Sequence, residues 1–243
     1  MFRTLHRTRR CCSSLRSYSL APCVTVAPDV SFHTGVLMRY VAFLCLFLFA
    51  GVIVTAQPKI HYTLSMTNPS SHYFEIQASI SNLPTGDETV DLQIGAWRSG
   101  RYVILDFAGG VSEFVATDPR GNMLPWKKTD KQTWTITKDE QTSVIVKYKV
   151  YANEFDLRTR GLNDEHAFID PVAVFMYLRE YQDIPLTLAI NPFGRWHITT
   201  GLEQLEGRPF TYEAPSFEYF ADCPIEIGNH KDHEFEYAGK KHV

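Results

Sequence analysis

A chain of 243 residues, 44% hydrophobic and 13% aromatic, is long enough for one large all-β domain or two smaller ones, and its composition excludes bulk disorder. Charge is divided unevenly: residues 1–56 carry six arginines, no lysine and a single acid, Asp29, which leaves 18 basic and 26 acidic residues in 57–243, a formal net charge of −8. An acidic body of this kind repels phosphate backbones and anionic lipid, so nucleic acid is excluded as a partner class.

The N-terminus reads as a targeting segment. Residues 1–37 read as an upstream extension, either disordered or produced by a start ahead of the natural one, because Met38 stands immediately before Arg39. Residues 40–54 form an uncharged apolar run of fifteen, short for a membrane span and suited to the h-region of a signal peptide. Val54-Thr55-Ala56 adds the small residues of a cleavage site, so 38–56 is predicted to be a signal peptide cut between Ala56 and Gln57. This predicts a secreted or periplasmic protein with no stable membrane span once the segment is removed. The arginine- and serine-rich, acid-poor start also admits a transit peptide, and the apolar run an uncleaved anchor. Of the five cysteines, Cys11, Cys12, Cys23 and Cys45 fall in this segment, and Cys223 remains without a partner for an internal disulfide. A lone thiol with no nearby basic residue reads as a small buried hydrophobe rather than a nucleophile.

From residue 58 onward the sequence reads as strands nearly throughout. Residues 61–66 and 73–80 alternate apolar with polar side chains around Asn68-Pro69-Ser70-Ser71, which is turn chemistry, so the pair predicts a hairpin. Further strands are predicted at 90–94, 110–116, 132–137, 143–151, 185–190 and 196–200. A turn is expected at Asp118-Pro119-Arg120-Gly121-Asn122 and a loop at Leu162-Asn163-Asp164-Glu165-His166. Residues 168–178 are too uniformly apolar to assign by period. Many short strands, no internal repeat and no Gly/Ser linker predict one all-β domain, an antiparallel β-sandwich, over 58–243. About 185 residues bury roughly 70% of their unfolded surface, enough for a core without disulfides.

The last polar stretch, CPIEIGNHKDHEFEY at 223–237, has the residue types of a metal site. Its period argues otherwise. Ile225 and Ile227 alternate with Glu226, and Phe235 and Tyr237 alternate with Glu234 and Glu236, so the ends read as strands around a Gly228-Asn229 turn. His230 and His233, three apart, face opposite sides of a strand and do not converge on one ion unless the turn bends them together. A zinc protease instead places H-E-x-x-H on a helix, where the two imidazoles share a face. No phosphate-cradling glycine loop, G-x-S-x-G or spaced C-x-x-C pair is present. No catalytic residue and no metal ligand is therefore assigned. Asp164, Glu165 and His166 form a weak candidate for a substrate-proximal loop, since they put an acid beside a base; adjacent acids in a loop are more often simply hydrated. Trp97, Trp126, Trp134 and Trp196 read as core, with an aromatic sugar-binding face as the alternative.

One set of segments, taken in order, resembles a known family. These are Tyr62-Thr63-Leu64-Ser65-Met66, Trp97-Arg98-Ser99-Gly100-Arg101-Tyr102, residues 124–131, Tyr148-Lys149-Val150-Tyr151-Ala152, Asp164-Glu165-His166-Ala167-Phe168, Val174-Phe175-Met176-Tyr177 and residues 224–230. Together they resemble the N-terminal domain of the glycyl aminopeptidases, metallopeptidase family sixty-one. The resemblance implies a β-sandwich that precedes a zinc peptidase domain and covers one side of its cleft, helping to limit substrates to exposed N-termini. It places zinc and the catalytic residues in that second domain, so no cofactor is expected in this chain. The partners implied are a zinc peptidase domain or its substrate peptides. Ser99 stands where the family usually has proline, which frees φ and restores a backbone donor at that turn. A free-standing secreted peptide- or glycan-binding module and a subunit of a split peptidase are the alternative readings.

Overall fold

A computed structural model describes residues 56–98, 102–155, 159–231 and 233–242; the predicted upstream extension, the apolar run and Ser99 lie outside the described residues. In chain order the strands begin with β1 (Lys59–Ser65) and β2 (Tyr73–Ser81), joined through a 3₁₀ turn at Pro69–Ser71 that ends on His72 with φ 57°. Proline suits the first position of such a turn because its missing N–H would be unpaired there. There follow β3 (Thr89–Gln93), a 3₁₀ turn at Phe107–Gly110, β4 (Val111–Thr117), β5 (Trp126–Lys128), β6 (Thr133–Thr137) and β7 (Val144–Tyr151). Next come β8 (Asn153–Glu154), β9 (Arg160–Leu162), β10 (His166–Ile169), the single-turn helix α1 (Pro171–Val174), β11 (Tyr177–Leu178) and β12 (Leu186–Asn191). The chain closes with β13 (His197–Thr200), β14 (Glu203–Gln204), β15 (Thr211–Ala214), helix α2 (Phe217–Ala221), β16 (Ile225–Gly228), β17 (Phe235–Tyr237) and β18 (Lys240–His242).

The protein is all-β, and its strands form a seven-stranded sheet, order β14-β15-β12-β1-β2-β7-β4, a five-stranded sheet, β13-β16-β10-β9-β8, a four-stranded sheet, β11-β3-β6-β5, and the hairpin β17-β18. The ladders among the described strands are antiparallel except β1 with β12, which run parallel from Ile60↔Leu186 to Ser65↔Asn191. The alternation read in the sequence is the alternation of burial: Ile60, Tyr62 and Leu64 of β1 and Phe74, Ile76, Ala78 and Ile80 of β2 are buried, while the residues between them are not. These inward side chains join those of the four- and five-stranded sheets in one continuous core. Phe114 on β4 stacks on Trp134 of β6 with ring centroids 5.6 Å apart, which carries the seven-stranded sheet onto the four-stranded one.

Two tyrosines tie the unassigned stretch 168–178 to this core. The Tyr148 hydroxyl donates to the Val174 carbonyl at 3.1 Å and accepts from the Met176 N–H at 2.9 Å, and the Tyr62 hydroxyl donates to the Met176 carbonyl at 2.6 Å. The stretch resolves into β10, α1 and β11, all largely buried. Its uniform apolarity follows, since a segment covered on every side shows no amphipathic period.

Two sequence expectations are corrected. Leu162 and His166, predicted as part of a loop, are the flanking strand residues of a tight hairpin whose turn is residues 163–165. The segments around Gly228-Asn229 are both strands but not partners: β16 pairs with β10 and β13, whereas β17 pairs with β18. Period reveals that a segment is extended, not which neighbour it pairs with.

Candidate functional site

The β10–β16 pairing brings together the two polar stretches singled out in the sequence, which are about sixty residues apart. His166 lies opposite Gly228, and Gly228 lies opposite His197 on its other side; Glu226 lies between Phe168 and Thr199 in the next same-face row. Directly paired residues and their i±2 neighbours share a face of an antiparallel sheet. His166, His197, Glu226 and Thr199 therefore surround Gly228 on the outer face of the five-stranded sheet. A Cβ at Gly228 would come within 2.7 Å of the His166 Cβ, so glycine is what lets β16 lie close under the imidazole.

The contacts on this face are polar and close. His166 Nε2 stands 3.8 Å from Glu226 Oε1, and His230 Nε2 is 2.8 Å from the Thr199 hydroxyl, with the His197 and His230 rings 6.4 Å apart. Burial raises the Glu226 pKa above the ordinary glutamate range, and His166 and His230 pull it back down. The Phe155 ring packs on His166 at 4.7 Å. Asn163 shapes the hairpin: its side-chain oxygen accepts from the N–H groups of Glu165 and His166, both at 2.9 Å. Asp164 accepts a hydrogen bond from the Ser70 hydroxyl, which fastens this hairpin to the β1–β2 turn, and Glu165 is exposed. Of the three candidate loop residues, His166 brings its side chain to Gly228 and Glu165 its backbone carbonyl.

His230 folds back to Thr199, whereas His233 is exposed ahead of β17. Among the described residues no three His, Cys, Asp or Glu side chains are arranged to hold a metal ion. The zinc that the family resemblance implies for full-length relatives thus has no fitting set of ligands among them. Cys223 is buried, and burial together with the Asp222 carboxylate raises its thiol pKa, which disfavours the reactive thiolate.

A second feature was not legible from spacing. Trp97 and Arg98 line a cleft of about 640 Å³ shared with Tyr177, Phe217 and Asp222. Arg98 ion-pairs with Asp170, whose carboxylate is fully buried and also accepts from the Val172 N–H at 3.2 Å, capping α1. Burial raises the Asp170 pKa and the Arg98 guanidinium opposes that rise. Gly95 forms part of the cleft wall, where any Cβ would overlap the Val172 side chain. The core assignment of the tryptophans holds for Trp134 and Trp196, which are buried, and fails for Trp97 and Trp126, which are 48% and 40% exposed.

Residues 61–229 match the model of the Peptidase M61 N-terminal domain. The chain belongs to that family. No curated protein matches it. Among solved structures, this M61 N-terminal domain is similar to an aminopeptidase N family protein from Idiomarina loihiensis, with 25% identity and a TM-score of 0.69. The likeness covers 75% of this chain and 31% of that one, so the M61 domain spans under a third of its relative's length. The Trp97 cleft and the Gly228 face, except His230, fall within the matched residues.

Proposed function

We propose that this chain serves as the non-catalytic N-terminal domain of an aminopeptidase-like zinc peptidase, flanking the catalytic portion and shaping the cleft through which substrate N-termini enter. The observation that carries this reading is the match of 61–229 to a domain defined as the N-terminal part of a peptidase family, backed by a fold likeness to under a third of an aminopeptidase N family protein. Among the described residues, Cys223 is buried with a raised pKa, and His166, His197 and His230 are not arranged with Glu226 to hold a metal ion. A zinc peptidase needs three side-chain ligands and an open position for water. A secreted or periplasmic location, with cleavage between Ala56 and Gln57, is part of the same proposal.

The test is to incubate the purified chain with glycyl and alanyl aryl-amides in the presence of zinc. No turnover above buffer is expected. Turnover that a chelator abolishes would overturn the reading, because it would require a catalytic metal held by this chain.

A further inference from the structure

Burial sets in sharply at the start of β1. Ala56 and Gln57 are exposed, whereas Pro58 is buried. From Lys59 the chain pairs with β2, and from Ile60 also with β12. The Asn82 side-chain amide donates to the Gln57 carbonyl at 3.3 Å. Asn82 itself turns the chain out of β2 with φ 59°, a left-handed conformation that asparagine tolerates. Leu83 beside it is buried, and its N–H donates to the Thr142 carbonyl at 2.9 Å. The backbone is thus fastened from the Gln57 carbonyl onward, with residue 57 still in solvent.

That boundary coincides with the cleavage pattern Val54-Thr55-Ala56, which sets the cut between Ala56 and Gln57. Both residues of that bond are exposed, so a processing enzyme can reach it without opening β1. The cut would give Gln57 a free α-amine, and glutamine spaces that amine from its own side-chain amide carbon so that a lactam ring closes with little strain. With a pKa of about 8, roughly a tenth of such an amine is neutral and nucleophilic at neutral pH. The α-nitrogen attacks Cδ, the N–Cδ bond forms, the Cδ–Nε2 bond breaks, and ammonia leaves carrying one proton from the amine. No oxidant or second substrate is needed. The ring is built only from the α-nitrogen and the side chain, so the Gln57 carbonyl keeps its bond to Asn82.

We propose that Gln57 is a modification site: after cleavage behind Ala56 its α-amine closes on its own side-chain amide, and the domain begins with a pyroglutamyl residue. This rests on the cleavage and location proposed above and adds the chemical state of the N-terminus. The product is uncharged there and has lost the α-ammonium by which an aminopeptidase recognises its substrates. The domain's own N-terminus therefore does not compete with substrate N-termini for the cleft that it is proposed to shape.

The test expresses the full chain, with its own residues 1–56, in a secreting bacterial host. Protein recovered outside the cytoplasm is held at neutral pH, treated with an amine-reactive tag and read by intact and tandem mass spectrometry. The expected product has the mass of residues 57–243 less one ammonia, with the loss mapped to Gln57 and no tag on its α-nitrogen. Gln57→Ala should be cut at the same bond and carry the tag on its α-amine. A Gln57 that keeps a taggable amine after prolonged incubation, or an ammonia loss mapped to another residue, would overturn the modification and leave the cleavage and the domain function standing. A chain that retains residues upstream of Gln57, or begins beyond it, would overturn the cleavage and the modification together. The aryl-amide assay of the domain function is independent of either result.

Discussion

Replacing Tyr148 by phenylalanine tests how the apolar stretch between β10 and β11 is held. The substitution keeps the ring, which stacks on Phe114 at 6.4 Å, and removes only the hydroxyl. That hydroxyl is buried, donates to the Val174 carbonyl and accepts from the Met176 N–H, so Tyr148→Phe strands a donor and an acceptor in the core. Each stranded group costs about 1–3 kcal/mol, and the loss of one buried hydroxyl offsets part of that, which leaves about 2–4 kcal/mol. For a body of this size the melting temperature should fall by about 5–12 °C and the urea midpoint by about 1–2 M. Tyr62→Phe removes one bond, to the Met176 carbonyl at 2.6 Å, and should cost about 1–2 kcal/mol. Because both hydroxyls act on residues 174–176, the double variant should deviate from the sum of the singles. Urea unfolding followed by the fluorescence of the buried Trp134 and Trp196 measures all three. A Tyr148→Phe variant within about 0.5 kcal/mol of the parent would refute the reasoning, since that is the scatter expected of a surface change.

The Arg98–Asp170 pair should respond unequally to loss of each partner. Arg98→Met leaves a fully buried carboxylate alone and should cost about 3–5 kcal/mol at neutral pH, measured by denaturant unfolding. Burial already raises the Asp170 pKa, so the folded state binds its proton more tightly than the unfolded state, and the Arg98→Met penalty should shrink as pH falls through the folded pKa. Asp170→Asn should cost only about 1 kcal/mol, because the amide can still accept from Val172 and the Arg98 side chain, 20% exposed, can reach water. Equal penalties at neutral pH would contradict this asymmetry. Glu226 titrates with the same sign: its folded pKa lies above 4.5, so its contribution to stability falls as pH rises from the ordinary glutamate range through the folded value. Glu226→Gln should flatten that part of the stability–pH curve, and an unchanged slope would remove Glu226 as its source. Gly228→Ala should lower stability by about 1–3 kcal/mol, since its Cβ would meet the His166 Cβ at 2.7 Å and the Glu165 carbonyl at 3.2 Å. A thermal shift of the variant checks this, and an unshifted melting temperature would mean that β10 yields without cost.

By itself the sequence determined which segments are extended and which side of each turns inward, because the two-residue period of a half-buried strand is a local property of the chain. Residues 61–66, 73–80 and 143–151 were legible in this way, as was the strand character of both ends of the polar C-terminal stretch. Strand β15, with only four residues, was missed, and 168–178 carried no period because the fold covers it on all sides. Tertiary structure alone decided the pairing: β1 beside β12 across more than a hundred residues, and β16 between β10 and β13 rather than beside β17. The candidate site divides in the same way. His166 and His230 stood out by residue type, but their convergence around Gly228 depends on register between strands far apart in the chain. Likewise the tryptophans looked alike in sequence, and only packing separated the buried Trp134 from the exposed Trp97. Backbone pairing and shared burial join residues that the chain keeps apart, so local pattern carries no record of them.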